Sequence, residues 1–137
     1  MIPDKLKNAY MKTAYSFSEC STATRLKVGA VLVKDNNIIS FSYNGTPYNW
    51  SNICEDENNV TLPEVIHAET NLLIKLARNG NSSAQGSTMF VTHSPCFQCA
   101  KLIYQAGIKE IYYSQQYRCK DGIEFLQKMG IQVSQLS

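Results

Sequence analysis

His67-Ala68-Glu69 and Pro95-Cys96-Phe97-Gln98-Cys99 put an imidazole and two thiols into two well-separated segments. Those three groups are the ligand types and number of a zinc site that keeps its fourth position for water. The site closes only if the fold carries both segments to one point. Cys96 and Cys99 stand three apart at the expected start of a helix, so their sulfurs share a face. There the positive end of the helix dipole favours thiolates. His67 lies near the start of the preceding helix. Two helix N-termini must therefore arrive side by side, and this requirement constrains the architecture more than anything else in the chain.

Glu69 sits two residues past His67, and i,i+2 side chains on a helix diverge. It is expected to miss the metal and lean on the metal's water, as a carboxylate that takes up and delivers a proton. Cys-x-x-Cys alone serves equally as a structural zinc knuckle or a redox pair. The added His-x-Glu and the proline before the first cysteine favour a catalytic site, since structural zinc more typically has four protein ligands. His93, the other histidine, reads as a neighbour of the site and not as a ligand.

The 137 residues suffice for one domain, spanning 1–137, with its own core. A content of 44% hydrophobic and 18% charged residues is that of a soluble globular protein. A net charge of only +2 argues against a broad basic face, so no polymeric nucleic acid is expected as a partner. Met1-Ile2-Pro3-Asp4-Lys5 lacks the apolar stretch of a secretory signal, and no apolar run nears the roughly 20 residues of a membrane span. Five cysteines, an odd number with two in C-x-x-C spacing, suit a reducing compartment. A cytoplasmic protein is expected.

No internal repeat or linker interrupts the chain. Helical spacing covers residues 4–19, with Asp4 as N-cap. The run 28–33 and the segment 38–43, joined through Lys34–Asn37, form a hairpin. Residues 44–63 are irregular, a loop length that is usually functional or mobile. A helix is expected over 64–78, closed by Gly80 in the left-handed conformation. Strand 88–92, a helix opened by Pro95 and running to about 106, strand 109–113, helix 121–129 and strand 131–133 complete the order. The last three strands, joined through helices, should be parallel.

The H-x-E…P-C-x-x-C pattern is the signature of zinc nucleobase deaminases. Beyond it, the sequence resembles the deoxycytidylate (dCMP) deaminases of phage and bacterial type over nearly its whole length. The matching stretches are residues 20–31, Tyr43-Asn44-Gly45-Thr46-Pro47, Val65–Glu69, Ser94–Lys101 and Gln105–Lys109. The resemblance implies an α/β, three-layer α-β-α fold with a five-stranded mixed sheet. It implies hydrolytic deamination of dCMP to dUMP, supplying dTMP synthesis, with one catalytic Zn2+ on His67, Cys96 and Cys99 and with Glu69 as proton relay.

The same resemblance places Asn44 on the deoxyribose 3′-hydroxyl, the backbone around Ala68 and Ser94 on the pyrimidine edge, and Tyr117 on the base or over the phosphate. Ser21, Arg25 and Lys27 form a candidate phosphate cradle. The plainer alternatives are solvated flanking charges for Arg25 and Lys27, and a core aromatic for Tyr117. Related enzymes are commonly hexamers, activated by dCTP and inhibited by dTTP with Mg2+ on the triphosphate. The effector segment falls at Ser42, Tyr43, Asn44 and Gly45, with Ser42 where the family has glycine. Arg78 matches a position tied to oligomer contacts and effectors, or is simply a cation at a helix C-terminus. Some members hold a second zinc near positions 20 and 54 with added histidines. Those histidines are missing here, so one zinc is expected. The rival readings are a deaminase of another substrate and a zinc-bound nucleotide sensor without chemistry.

Overall fold

The computed structural model describes residues 1–80 and 82–136. Helix α1 (Asp4–Ser18) precedes the hairpin β1 (Gly29–Lys34) and β2 (Asn37–Tyr43). Then come α2 (Ala68–Asn79), β3 (Thr88–His93), α3 (Phe97–Gln105), β4 (Glu110–Gln115), α4 (Asp121–Lys128) and β5 (Gln132–Gln135). The sheet order is β2-β1-β3-β4-β5. β1 runs antiparallel to both neighbours, while β3, β4 and β5 are parallel.

The hairpin closes through Asp35 and Asn36, both at positive φ (50° and 62°). Two left-handed residues make the turn whose twist matches the strands, and Asp and Asn tolerate it. Period-2 alternation then divides the strand side chains between two cores. Val31, Val33, Phe90 and Tyr112 pack on Tyr10, Met11 and Ala14 of α1. Ala30, Leu32, Met89, Val91 and Ile111 pack on Leu72, Leu76, Ile103 and Leu126 of the other helices. Burial on both faces is why these strands read as continuous apolar runs. The layers are α1, the sheet, and α2 to α4, as the resemblance implies. Gly29 permits the closest approach: a Cβ there would collide with the Ala14 carbonyl.

Three helix starts differ from expectation. Pro3, not Asp4, is the N-cap of α1, leaving Asp4 as a first-turn acid. Pro95 precedes α3 without opening it, because Cys96 takes the extended N-cap conformation. The largest shift is in α2, which begins at Ala68 instead of 64. Ile66 and Gly45 exchange both backbone hydrogen bonds, at 2.7 and 3.1 Å, and this pairing holds 65–67 extended. Among the described residues, no helix is long and apolar enough to cross a membrane.

Candidate active site and metal centre

His67 and Cys96 are the N-caps of α2 and α3, both with extended backbone (φ −66°, ψ 152° and φ −72°, ψ 170°). The two helix starts meet beyond the carboxyl end of β3, where open α/β sheets bind ligands. His67 Nδ1 lies 3.5 Å from Cys96 Sγ and 3.4 Å from Cys99 Sγ. Tetrahedral zinc with ordinary Zn–N and Zn–S bonds places such atoms about 3.6 Å apart. The three groups fit the ion. Among the described residues they are also the only His, Cys, Asp or Glu cluster with this geometry, all ligand atoms lying within 4.8 Å of one another.

Without an ion, the cluster shares its protons unequally. Contacts from Cys99 and then His67 bring the Cys96 thiol down to about 4. Cys99 is raised by its neighbour Cys96 and by burial, and His67 is raised chiefly by Cys96. Thr70 Oγ1 stands 3.5 Å from Cys99 Sγ and helps to orient it.

Glu69 is outside the ligand cluster, as expected, but for a different reason. His67 precedes the helix and Glu69 is in its first turn, so the two do not share helical geometry. Glu69 is only 5% exposed, and burial raises its carboxyl to about 7, against the lowering influence of His67. The helix start is fastened from below. The hydroxyl of Ser42 donates to the Ala68 carbonyl and that of Ser40 to the Leu72 carbonyl.

One cavity of ≈ 370 Å³ contains this chemistry. Its floor is His67, Ala68, Glu69, His93, Ser94 and Cys96; Arg25, Leu26, Asn44, Cys54 and Glu55 form one wall and Gln116, Tyr117 and Arg118 another. Tyr117 is 43% exposed, not a core aromatic, and its backbone N–H donates to Ser94 Oγ at 2.6 Å. Burial lowers His93, which keeps this imidazole neutral beside the site. Asn44 clamps the opposite wall, its Nδ2 donating to Leu26 O at 2.8 Å and its Oδ1 accepting Val28 N–H at 2.9 Å.

Ser21 and Lys27 are not on the cavity wall. Ser21 is buried with its hydroxyl donating to Asn44 O at 2.8 Å, and Lys27 points into solvent. Ser42, Tyr43, Gly45 and Arg78 also lie off the wall; Arg78 is exposed, 5.9 Å from the Tyr48 ring. Sequence reasoning missed Arg118 and Glu55. The first had a signal, since it follows Tyr117; the second lies in the irregular stretch 44–63, whose local sequence does not single it out. Among the described residues neither Arg25 nor Arg118 is ion-paired, the one pair being Lys7–Asp4.

Gly122 lets α4 lie against the metal loop, and a Cβ there would collide with Pro95 O and come within 2.8 Å of the Cys96 carbonyl carbon. Gly122→Ala should cost about 1–3 kcal/mol in thermal unfolding. It should also loosen zinc in a chelator competition; unchanged zinc retention would show that α4 does not brace the loop.

The family model described as the cytidine and deoxycytidylate deaminase zinc-binding region matches residues 4–115. A dCMP deaminase from the cyanophage S-TIM5, solved in complex with dCMP and dUMP, superposes with a TM-score of 0.96 at 46% identity, over 99% of this chain and 100% of that one. The deoxycytidylate deaminase of Enterobacteria phage T4 is 35% identical over an alignment of 166 positions that covers 90% of this chain and 86% of its own. The ComE operon protein 2 of Bacillus subtilis is 34% identical over 132 residues, spanning 93% and 69%.

Proposed function

The chain belongs to the cytidine and deoxycytidylate deaminase family, and on that premise we propose that it hydrolyses dCMP to dUMP and ammonia with one zinc ion on His67, Cys96 and Cys99. The observation that carries this reading is a buried carboxyl, Glu69 at about 7, in the same cavity as the three-ligand cluster. When bound, zinc supplies the Lewis acidity that makes water nucleophilic near neutral pH. Glu69 moves the protons: its carboxylate takes one from the attacking water, delivers it to the ring nitrogen N3, and passes a second to the departing amine. The water oxygen stays on C4, the C4–N bond breaks, and ammonia leaves.

The backbone around Ala68 and Ser94, which lines the same cavity as Glu69, reads the pyrimidine edge. Asn44, after clamping Leu26 and Val28, keeps one N–H and one lone pair for the 3′-hydroxyl. Tyr117 covers the base, and Arg25 with Arg118, rather than Lys27, takes the phosphate. The cyanophage enzyme's capture with dCMP and dUMP supports the choice of substrate.

The reading extends to a cytoplasmic hexamer that feeds dTMP synthesis, with dCTP as activator and dTTP as inhibitor, each carried with Mg2+. Binding at Ser42–Gly45 and Arg78 has a route to the chemistry. Ser42 holds the Ala68 carbonyl, and Gly45 pairs with Ile66, the residue before His67.

A turnover panel of dCMP, CMP, deoxycytidine and dCTP, with and without dCTP-Mg or dTTP, tests the substrate and the effectors. The kcat/KM for dCMP should lead by at least about tenfold. Arg25→Ala should raise KM for dCMP about tenfold and leave deoxycytidine nearly unchanged. No turnover of dCMP would reject the activity, and equal effects on both substrates would remove the phosphate assignment.

A further inference from the structure

The segment 20–28 that carries Arg25 to the cavity has no helix or strand of its own beyond the end of α1. Side chains hold it instead. Asn44 grips its far end through Leu26 and Val28. At the near end, two consecutive backbone N–H groups, Thr24 and Arg25, both donate to Glu55 Oε2 at 3.0 Å. Thr24 Oγ1 donates to Glu55 Oε1 at 3.1 Å. Convergent N–H groups of this kind are an anion-binding arrangement, and here a carboxylate of the chain occupies it. Those bonds, the Arg25 amide foremost, hold the Glu55 carboxyl below the usual carboxylate range.

Glu55 is itself fixed. It is bridged to Thr61, and within the intervening turn Asp56 Oδ1 accepts Asn58 N–H at 2.8 Å and Val60 N–H at 3.0 Å. Thr22 Oγ1 donates to Asn52 O at 2.8 Å and adds a second fastening between the same two loops. The cation on the wall therefore sits between two clamps, in a stretch that would otherwise be free to move.

We propose that Glu55 is a positioning residue for substrate binding: by satisfying the amides of Thr24 and Arg25, it presets the Arg25 guanidinium to receive the 5′-phosphate of the nucleotide. The inference rests on the proposed dCMP reaction and on Arg25 as a phosphate ligand. Presetting removes an ordering cost at binding, so loss of the clamp falls on KM and not on the chemical step.

The test is steady-state kinetics of zinc-loaded wild type, Glu55→Ala, Glu55→Gln, Arg25→Ala and the double variant Arg25→Ala/Glu55→Ala, on dCMP and on deoxycytidine. Glu55→Ala should raise KM for dCMP by about tenfold with kcat within about twofold, and change kcat/KM for deoxycytidine by less than about threefold. Glu55→Gln, whose amide oxygen still accepts both N–H groups, should recover most of the affinity. On the Arg25→Ala background, Glu55→Ala should add less than about twofold, because the two act as one unit.

Equal losses on both substrates, a fall in kcat alone, or multiplying effects in the double variant would overturn the inference. So would wild-type behaviour of Glu55→Ala beside a damaged Arg25→Ala. A wild type inert on dCMP rejects the reaction instead, and an unaffected Arg25→Ala rejects the phosphate ligand. If Glu55→Ala does not fold, Thr24→Val removes one of the three bonds and should raise the dCMP KM by about two- to threefold; no rise would count against the clamp.

Discussion

Glu69→Gln is expected to lower kcat on dCMP by about 10³-fold while zinc content stays at the wild-type level. Glutamine keeps the shape of the side chain and its place in the first turn of α2, outside the ligand cluster, but it cannot carry a proton. Metal analysis and kinetics on the same sample read the two halves of the expectation; an active variant would remove the relay. The substitution also has a signature in the metal-free protein. Burial raises the Glu69 carboxyl from an ordinary 4.5 to about 7, so between these values the folded state holds a proton that the unfolded state has released. Stability therefore falls as pH rises through that window, by up to ~3 kcal/mol, and the cost is fully present above about pH 7. The neutral amide of the variant carries no such cost. The melting temperature of chelated Glu69→Gln should thus gain on chelated wild type from pH 5 to pH 8. Parallel curves would mean that burial does not hold the carboxyl up.

The parts of the fold that could be read locally were those with local causes. The hairpin follows from Asp35 and Asn36 between two apolar runs, and the Gly80 cap of α2 from its left-handed backbone (φ 67°). The parallel arrangement of β3, β4 and β5 follows from the helices between them. The start of α2 was misplaced because Pro63 looks like a helix opening, whereas a partner far away in sequence, Gly45, claims Ile66. The cluster of His67, Cys96 and Cys99 was legible because the spacing of its members carries the chemistry. The substrate wall was less so. Ser21 lies beside the cationic segment in sequence, yet its hydroxyl is turned inward to Asn44 O. Glu55 gains its place only when its loop folds back on Thr24 and Arg25, a contact with no local signal.

Chelation of zinc should abolish turnover, zinc should restore it, and Mg2+ should not, since thiolate and imidazole ligands select a softer ion. The thiols also dictate how tightly the ion is held at each pH. In the metal-free cluster Cys96 is already a thiolate at neutral pH, its pKa brought to about 4, whereas Cys99 keeps its proton and His67 is shifted toward its charged form. Only deprotonated sulfur and neutral imidazole bind metal, so loading must expel the Cys99 proton and whatever proton His67 holds. Each proton released makes apparent zinc affinity about tenfold tighter per pH unit. Between pH 6 and pH 8 the affinity should accordingly rise by about 10² or more, read by competition with a chelator of known pH dependence. Cys99→Ala removes the ligand that must lose its proton, and should both weaken zinc binding and make that slope shallower. A wild-type affinity that stays level from pH 6 to pH 8 would contradict the protonated Cys99. It would mean that both sulfurs are already thiolates before the ion arrives, with the two helix N-termini strong enough to hold a pair of negative charges side by side.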